Sequence, residues 1–159
     1  MAIRLFTIGF AETSAESFFT TLCDAGVKRV IDVRLNNTSQ LAAYSKKDDL
    51  RYFLRQIGGI DYLHVPELAP TQEMLDAYKK QKGSWADYEA HFGDLIRSRH
   101  IERAIAPETA HLGCLLCSEK DPAQCHRRIV AEYLAKVWGD TEIVHLGTPV
   151  AKSAKRGKR

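Results

Sequence analysis

Cys117-Ser118-Glu119-Lys120-Asp121-Pro122-Ala123-Gln124-Cys125-His126-Arg127-Arg128 is the stretch that decides the fold. The apolar run Leu112 to Leu116 leads into it, and a helical pattern from Ile129 to Val137 leads out. It reads as the end of a buried strand, a short loop and the start of a helix. In an open α/β sheet, ligands bind in the crevice at the carboxyl ends of the strands. Two thiols, two carboxylates, an imidazole and two guanidiniums are therefore concentrated where such a sheet does its chemistry.

Strand and helix patterns alternate on either side of this stretch. Ile3 to Ile8 reads as a strand ending at Gly9. Thr13 to Glu16 has a capping-box pattern, followed by Ala15, Phe18, Phe19 and Leu22 at helical spacing, with Gly26 as the stop. Val27 to Val33 is a second strand, and Asn36 to Lys47 a long polar stretch. Asp48 and Asp49 open a helix closed by Gly58-Gly59, and Tyr62 to Val65 is a short strand stopped by Pro66. Helices follow from Pro70-Thr71 and from Ser84, with Trp85, Tyr88 and Phe92 read as core. Glu142 to Leu146 is a last short strand. The β-α-β alternation predicts one three-layer α/β domain with a central, mostly parallel sheet of about five strands flanked by helices. Residues 1–147 form that domain, and 148–159 a basic, flexible tail.

The 159 residues suffice for one good core. No apolar run approaches the roughly 18 residues that span a bilayer, and the first residues read as a strand with no signal-peptide layout. A cytoplasmic protein without membrane contact is expected. The net charge of +3 rests largely on the tail, whose residues Lys152 to Arg159 include five basic and no acidic side chains. The body is close to neutral, so the basic balance is weak evidence for a nucleic-acid surface on the fold.

If the strands are parallel, Gly9, Asp32 with Arg34, Glu67, and Cys117 with Glu119 reach one crevice. Asp121-Pro122-Ala123-Gln124 is a capping pattern that places Cys125 and His126 in the first helical turn. Helix N-termini and nearby cations lower thiol pKa values from about 8.5 toward 7 or below. Cys125 is then an activated thiolate, or else a small buried residue at a helix–sheet contact. His126 is a general acid/base, a metal ligand or a core histidine. Asp32 and Arg34, two apart at a strand end, are a buried ion pair at a loop entrance, or else Arg34, helped by Arg127, holds an anion such as a phosphate or carboxylate; Asn36 in the polar loop offers further hydrogen bonds. Asp32 or Glu119 serves as acid/base, and Glu67 adds a carboxylate of the kind used in glycosyl transfer.

Several known arrangements fit poorly. Cys114-x-x-Cys117 lies on a strand, where residues three apart point to opposite faces, so it is not a zinc knuckle. A zinc or iron site, if one exists, uses Cys117, Glu119, Cys125 and His126, and the sequence requires no cofactor. A cysteine-phosphatase loop fails on spacing, because Cys125 plus six is Ala131. A thioredoxin motif fails because Cys114-Cys117 precedes a loop. Ile31-Asp32-Val33-Arg34 faintly echoes rhodaneses, but the loop after Cys117 is not expected to cradle a persulfide.

Cys117-x-Glu119, Pro122 and Cys125-His126-Arg127, preceded by Thr7-Ile8-Gly9 and Asp32-Val33-Arg34, resemble the DUF488 family of α/β proteins, which has no accepted reaction. The resemblance runs from about Ile3 to Gly147. The first motif is usually Thr-Ile-Gly-His-Ser in that family, whereas Phe10-Ala11 stand here. The expected function is a small hydrolase or transferase acting on a nucleotide, a nucleic-acid base or another phosphorylated compound, with a small anionic ligand or nucleic acid as partner. The alternatives are a non-catalytic nucleotide or nucleic-acid binding module, and a metal or thiol-redox protein built on Cys117, Cys125 and His126.

Overall fold

The computed structural model describes residues 2–37 and 43–147. Thr38, Ser39 and Gln40 of the polar loop, and the basic tail, lie outside the described residues. Five strands, β1 (Ile3–Gly9), β2 (Arg29–Asp32), β3 (Asp61–His64), β4 (Gly113–Cys117) and β5 (Thr141–His145), form one sheet in the order β3-β2-β4-β1-β5. Every pairing is parallel. The helices are α1 (Ala15–Ala25), α2 (Lys47–Gly58), α3 (Gln72–Lys79), α4 (Trp85–Arg99), the short α5 (Pro107–Ala110) and α6 (His126–Trp138). Among the described residues no helix is long and apolar enough to cross a membrane.

β4 is central because all five of its residues are apolar or small and all are buried. Its period-two alternation feeds two cores. Leu115 and Cys117 join Phe92, Ile96, Val130 and Leu134 on the α4/α6 face, while Cys114 and Leu116 join Phe18, Leu22, Leu50 and Leu54 on the α1/α2 face. Each fully buried Leu or Phe side chain stabilises the fold by about 1.5–3 kcal/mol. The two faces hold α1/α2 and α4/α6 apart as separate layers, giving the three-layer domain.

The strand order creates one switch point. From β2 the chain runs outward through α2 to β3, and from β4 it runs the other way through α6 to β5. The carboxyl ends of β2 and β4, paired at Asp32 and Leu116, therefore open between loops that diverge, which is where such sheets leave a crevice.

Two helix starts differ from the sequence expectation. Ser14 caps α1, accepting from the Ser17 amide at 3.1 Å, while the Thr13 hydroxyl turns back to the Ala11 carbonyl. More consequentially, Asp121 caps a separate 3-10 turn, Pro122–Gln124, accepting from the Ala123 amide at 2.9 Å. The chain then extends at Cys125 (φ −138°, ψ 140°) before α6 begins at His126. Cys125 is thus the N-cap of α6 and not part of its first turn.

Candidate active site

A cavity of about 330 Å³ opens at the switch point between β2 and β4. Cys117, Cys125 and His126 line it together with Arg34, Tyr78 and Trp85. This volume lies at the lower end of the range for small-molecule sites, about 300–1,000 Å³.

Cys117 ends the central strand, only 6% exposed. Its thiol is held below the ordinary range. The Cys125 S–H contributes most by hydrogen bonding, burial opposes, and the Ser118 and Glu119 backbone N–H groups and the Arg127 charge add to the lowering. Cys125 moves the opposite way. Burial raises it well above the usual thiol value, and the neighbouring Cys117 sulfur raises it further. The sequence offered Cys125 as the activated thiolate; in the fold it is the Cys117 thiol that is lowered, and the Cys125 thiol, at the N-cap, that is raised. The loop after Cys117, expected not to cradle sulfur, does turn two backbone N–H groups toward it. Cys114 faces the other core and is pushed up by burial, as its opposite strand face requires.

His126 is the first residue of α6 and 6% exposed. Its Nε2 lies 2.7 Å from the Val33 carbonyl oxygen, and its Nδ1 lies 3.5 Å from Cys117 Sγ. A carbonyl only accepts, so Nε2 carries the hydrogen. In the neutral ring Nδ1 is then the free base facing the Cys117 thiol, and after proton transfer it is a donor facing the thiolate. The backbone carbonyl of Val33, one residue past β2, thereby sets the tautomer.

Arg127, expected to help hold an anion, is fully buried and its nitrogens are spent inside the protein. Nε donates to Thr7 Oγ1 at 3.2 Å, Nη1 to the Glu119 carbonyl and Nη2 to the Lys120 carbonyl at 3.1 Å. Thr7 Oγ1, which accepts from Arg127, also lies 2.6 Å from His145 Nδ1. Arg127 is a staple: it fixes the loop carbonyls so that the loop amides face Cys117. Gly9, paired with Cys117 across β1 and β4, lies beneath the same loop. A Cβ at Gly9 would stand 1.7 Å from the Glu119 carbonyl oxygen. Gly9 therefore serves the loop by close approach and does not line the cavity.

Asp32 is fully buried. Its carboxylate takes Arg34 Nε at 2.9 Å and Nη2 at 2.8 Å, the Tyr62 hydroxyl at 2.5 Å and Asn37 Nδ2 at 3.4 Å. Burial pushes its pKa up, but the hydrogen bonds and charge of Arg34 outweigh this and hold it below the usual carboxylate value. A carboxylate so engaged orients Arg34 as a buried ion pair, and Asp32, expected as an acid/base, is not among the residues lining the cavity. Phe10, where the family motif usually has His, lies against the guanidinium with Arg34 Cζ 5.3 Å from the ring centre.

The remaining expected residues separate. Glu119 and Asn36 line the cavity. The Glu119 carboxylate is half-exposed at the rim and pairs with Lys79 Nζ at 3.3 Å. Glu67 is exposed in the 3-10 turn Pro66–Leu68, offers its carbonyl to Arg99 and is not among the cavity residues. Donor atoms of Cys117, Cys125 and His126 all lie within 4.8 Å of one another, a spacing that a metal ion could bridge; Glu119 is not in that group. Tyr78, Trp85 and Tyr88, with ring centres 5.2–5.6 Å apart, form an aromatic cluster beside the site. Helical spacing identified Trp85 and Tyr88 as core; Tyr88 is buried on Phe92 and Trp85 only partly buried, and both line the cavity.

No curated protein and no solved structure matches this chain. The family described as domain of unknown function DUF488 matches residues 14–134, a span that includes Asp32-Val33-Arg34 and the whole Cys117 to Arg127 segment. The chain belongs to the DUF488 family.

Proposed function

We propose that this protein is a thiol-dependent hydrolase or transferase with Cys117 as its nucleophile. The observation carrying this reading is the Cys117–His126 pair lining a cavity, with the thiol held below its ordinary value despite its burial. The thiolate is the attacking form of cysteine, and a base within reach is its usual activator. The Cys117 proton passes to His126 Nδ1. Sγ bonds to the electrophilic centre of the ligand, and the leaving group departs with the proton returned by the imidazolium. Water or a second acceptor then takes the group from sulfur and restores the thiol. Water makes the enzyme a hydrolase, and any other acceptor makes it a transferase.

The ligand classes best suited to the cavity are nucleotides, nucleobases and other small phosphorylated or anionic compounds. The Tyr78–Trp85 wall supports a planar ring, because aromatic faces stack any base. The test is protection. Iodoacetamide labelling of Cys117 is mapped by mass spectrometry with the exposed Cys23 as internal reference. A compound from these classes is expected to slow labelling at Cys117 alone. An inert Cys117 at every pH where the protein is folded sinks the reading.

The clustered Cys117, Cys125 and His126 donors support a second reading, in which they hold zinc or iron. Two thiolates and a neutral imidazole suit zinc, and the cavity would supply a further position. A resident metal would consume Cys117 as a ligand. Elemental analysis of protein made without a polyhistidine tag separates the two: stoichiometric metal lost on Cys125→Ser favours the metal.

A further inference from the structure

Among the described residues, one buried side-chain nitrogen or oxygen has no hydrogen-bond partner: Arg34 Nη1. The guanidinium is 2% exposed, and its other nitrogens are both committed to Asp32. Phe10 covers its face. Asp32 is itself pinned by Tyr62 and Asn37, so the pair cannot swing to find another acceptor. Arg34 lines the cavity that holds Cys117. A buried charged donor without a partner is costly, and the cost is relieved when an acceptor enters.

We propose that Arg34 Nη1 anchors a subsite for a singly charged oxyanion, of which a carboxylate is the simplest, on a ligand seated over Cys117. The proposal narrows the anionic ligands above and rests on the same cavity being the ligand site. Two features select single charge. Only one nitrogen is free, so the two-pronged clamp by which arginine grips phosphate is not available. In addition, Asp32 already balances the guanidinium, and at the rim Glu119 balances Lys79. A second charge on the ligand would therefore gain nothing from Arg34 or Lys79, whereas one oxygen atom meets one charge-assisted donor.

The test uses isotope-labelled full-length protein with acetate and inorganic phosphate as probes. The readouts are the Arg34 side-chain N–H and the Trp85 indole N–H magnetic resonances. Acetate is expected to shift both saturably, and phosphate to bind at least about tenfold more weakly. Arg34→Lys keeps a charge facing Asp32 but removes the second arm, so the Trp85 shift should need about tenfold more acetate. If Arg34→Lys does not fold, the wild-type titrations decide alone. No saturable acetate shift, or tighter phosphate binding, overturns the proposal. Iodoacetamide labelling of the same sample reads the nucleophile separately. Acetate binding with an inert Cys117 leaves the subsite standing and removes the catalytic reading. A reactive Cys117 without acetate binding does the reverse.

Discussion

Replacing Gly9 by alanine adds a single methyl group, yet it strikes the element on which the Cys117 environment depends. The new Cβ would lie 1.7 Å from the Glu119 carbonyl oxygen and 2.6 Å from its carbon. Both atoms are backbone, so no rotamer change relieves the clash, and the loop must move by well over an ångström. That movement withdraws the Glu119 carbonyl from Arg127 Nη1 and the Glu119 amide from Cys117 Sγ. Overpacking of this kind costs about 1–3 kcal/mol. A lost hydrogen bond to a charged group adds about 1.5–3 kcal/mol. We expect Gly9→Ala to lower stability by about 3–5 kcal/mol in urea denaturation and to raise the pH at which Cys117 becomes reactive. A stability within about 0.5 kcal/mol of the parent, with unchanged Cys117 reactivity, would refute the claim that β1 and the loop are packed against each other to shape the thiol.

Asp32→Asn leaves Arg34 buried without its counter-ion and should cost about 3–5 kcal/mol in chemical denaturation. The folded pKa of Asp32 lies below its unfolded value, so the pair contributes fully above the unfolded value and is lost as pH falls through the folded one; the variant should lose this acid-dependent component of stability. Cys125→Ala removes the S–H that contributes most to lowering the Cys117 thiol and should raise the Cys117 reactivity midpoint, read from labelling rate against pH. His126→Gln should slow turnover of a substrate found by the protection screen by about 10²–10⁴-fold without unfolding the chain, measured by steady-state kinetics. Removal of residues 148–159 should leave small-ligand binding unchanged, whereas a nucleic-acid binder relying on the tail would lose affinity and salt dependence in a filter-binding assay.

The sheet was legible in the sequence because its signals are local and periodic. Apolar runs ending in Gly9, Asp32 and Cys117 mark strand ends, and strand alternation separates Cys114 from Cys117 without any tertiary information. The site was legible less completely. Asp121-Pro122 is a capping signal, but the sequence pattern does not distinguish the start of a 3-10 turn from that of an α-helix. Advancing the helix start to His126 moved Cys125 out of the first turn and left Cys117 with the hydrogen-bond donors. Arg127 and Asp32 read as ligand groups because charge beside a motif looks functional, while their complete burial arises from contacts with residues up to 120 positions away. The Val33 carbonyl, which fixes the His126 tautomer, carries no side-chain signature at all. Tyr78 had no periodic signal of its own; the sequence clue was its place one short turn before the Ser84 cap, where α3 and α4 bring it against Trp85.

The central claim is that Cys117 is the activated thiol, and its pH-dependent labelling tests it most directly. Native protein is exposed briefly to limiting iodoacetamide across a pH series, and each of the four cysteines is quantified by peptide mass. Cys117 is expected to label with a midpoint below that of an ordinary thiol, about 8.5, while Cys114 and Cys125 stay protected and the exposed Cys23 provides the reference. A Cys125 that labels before Cys117, or a Cys117 that stays inert until the protein unfolds, would contradict the account.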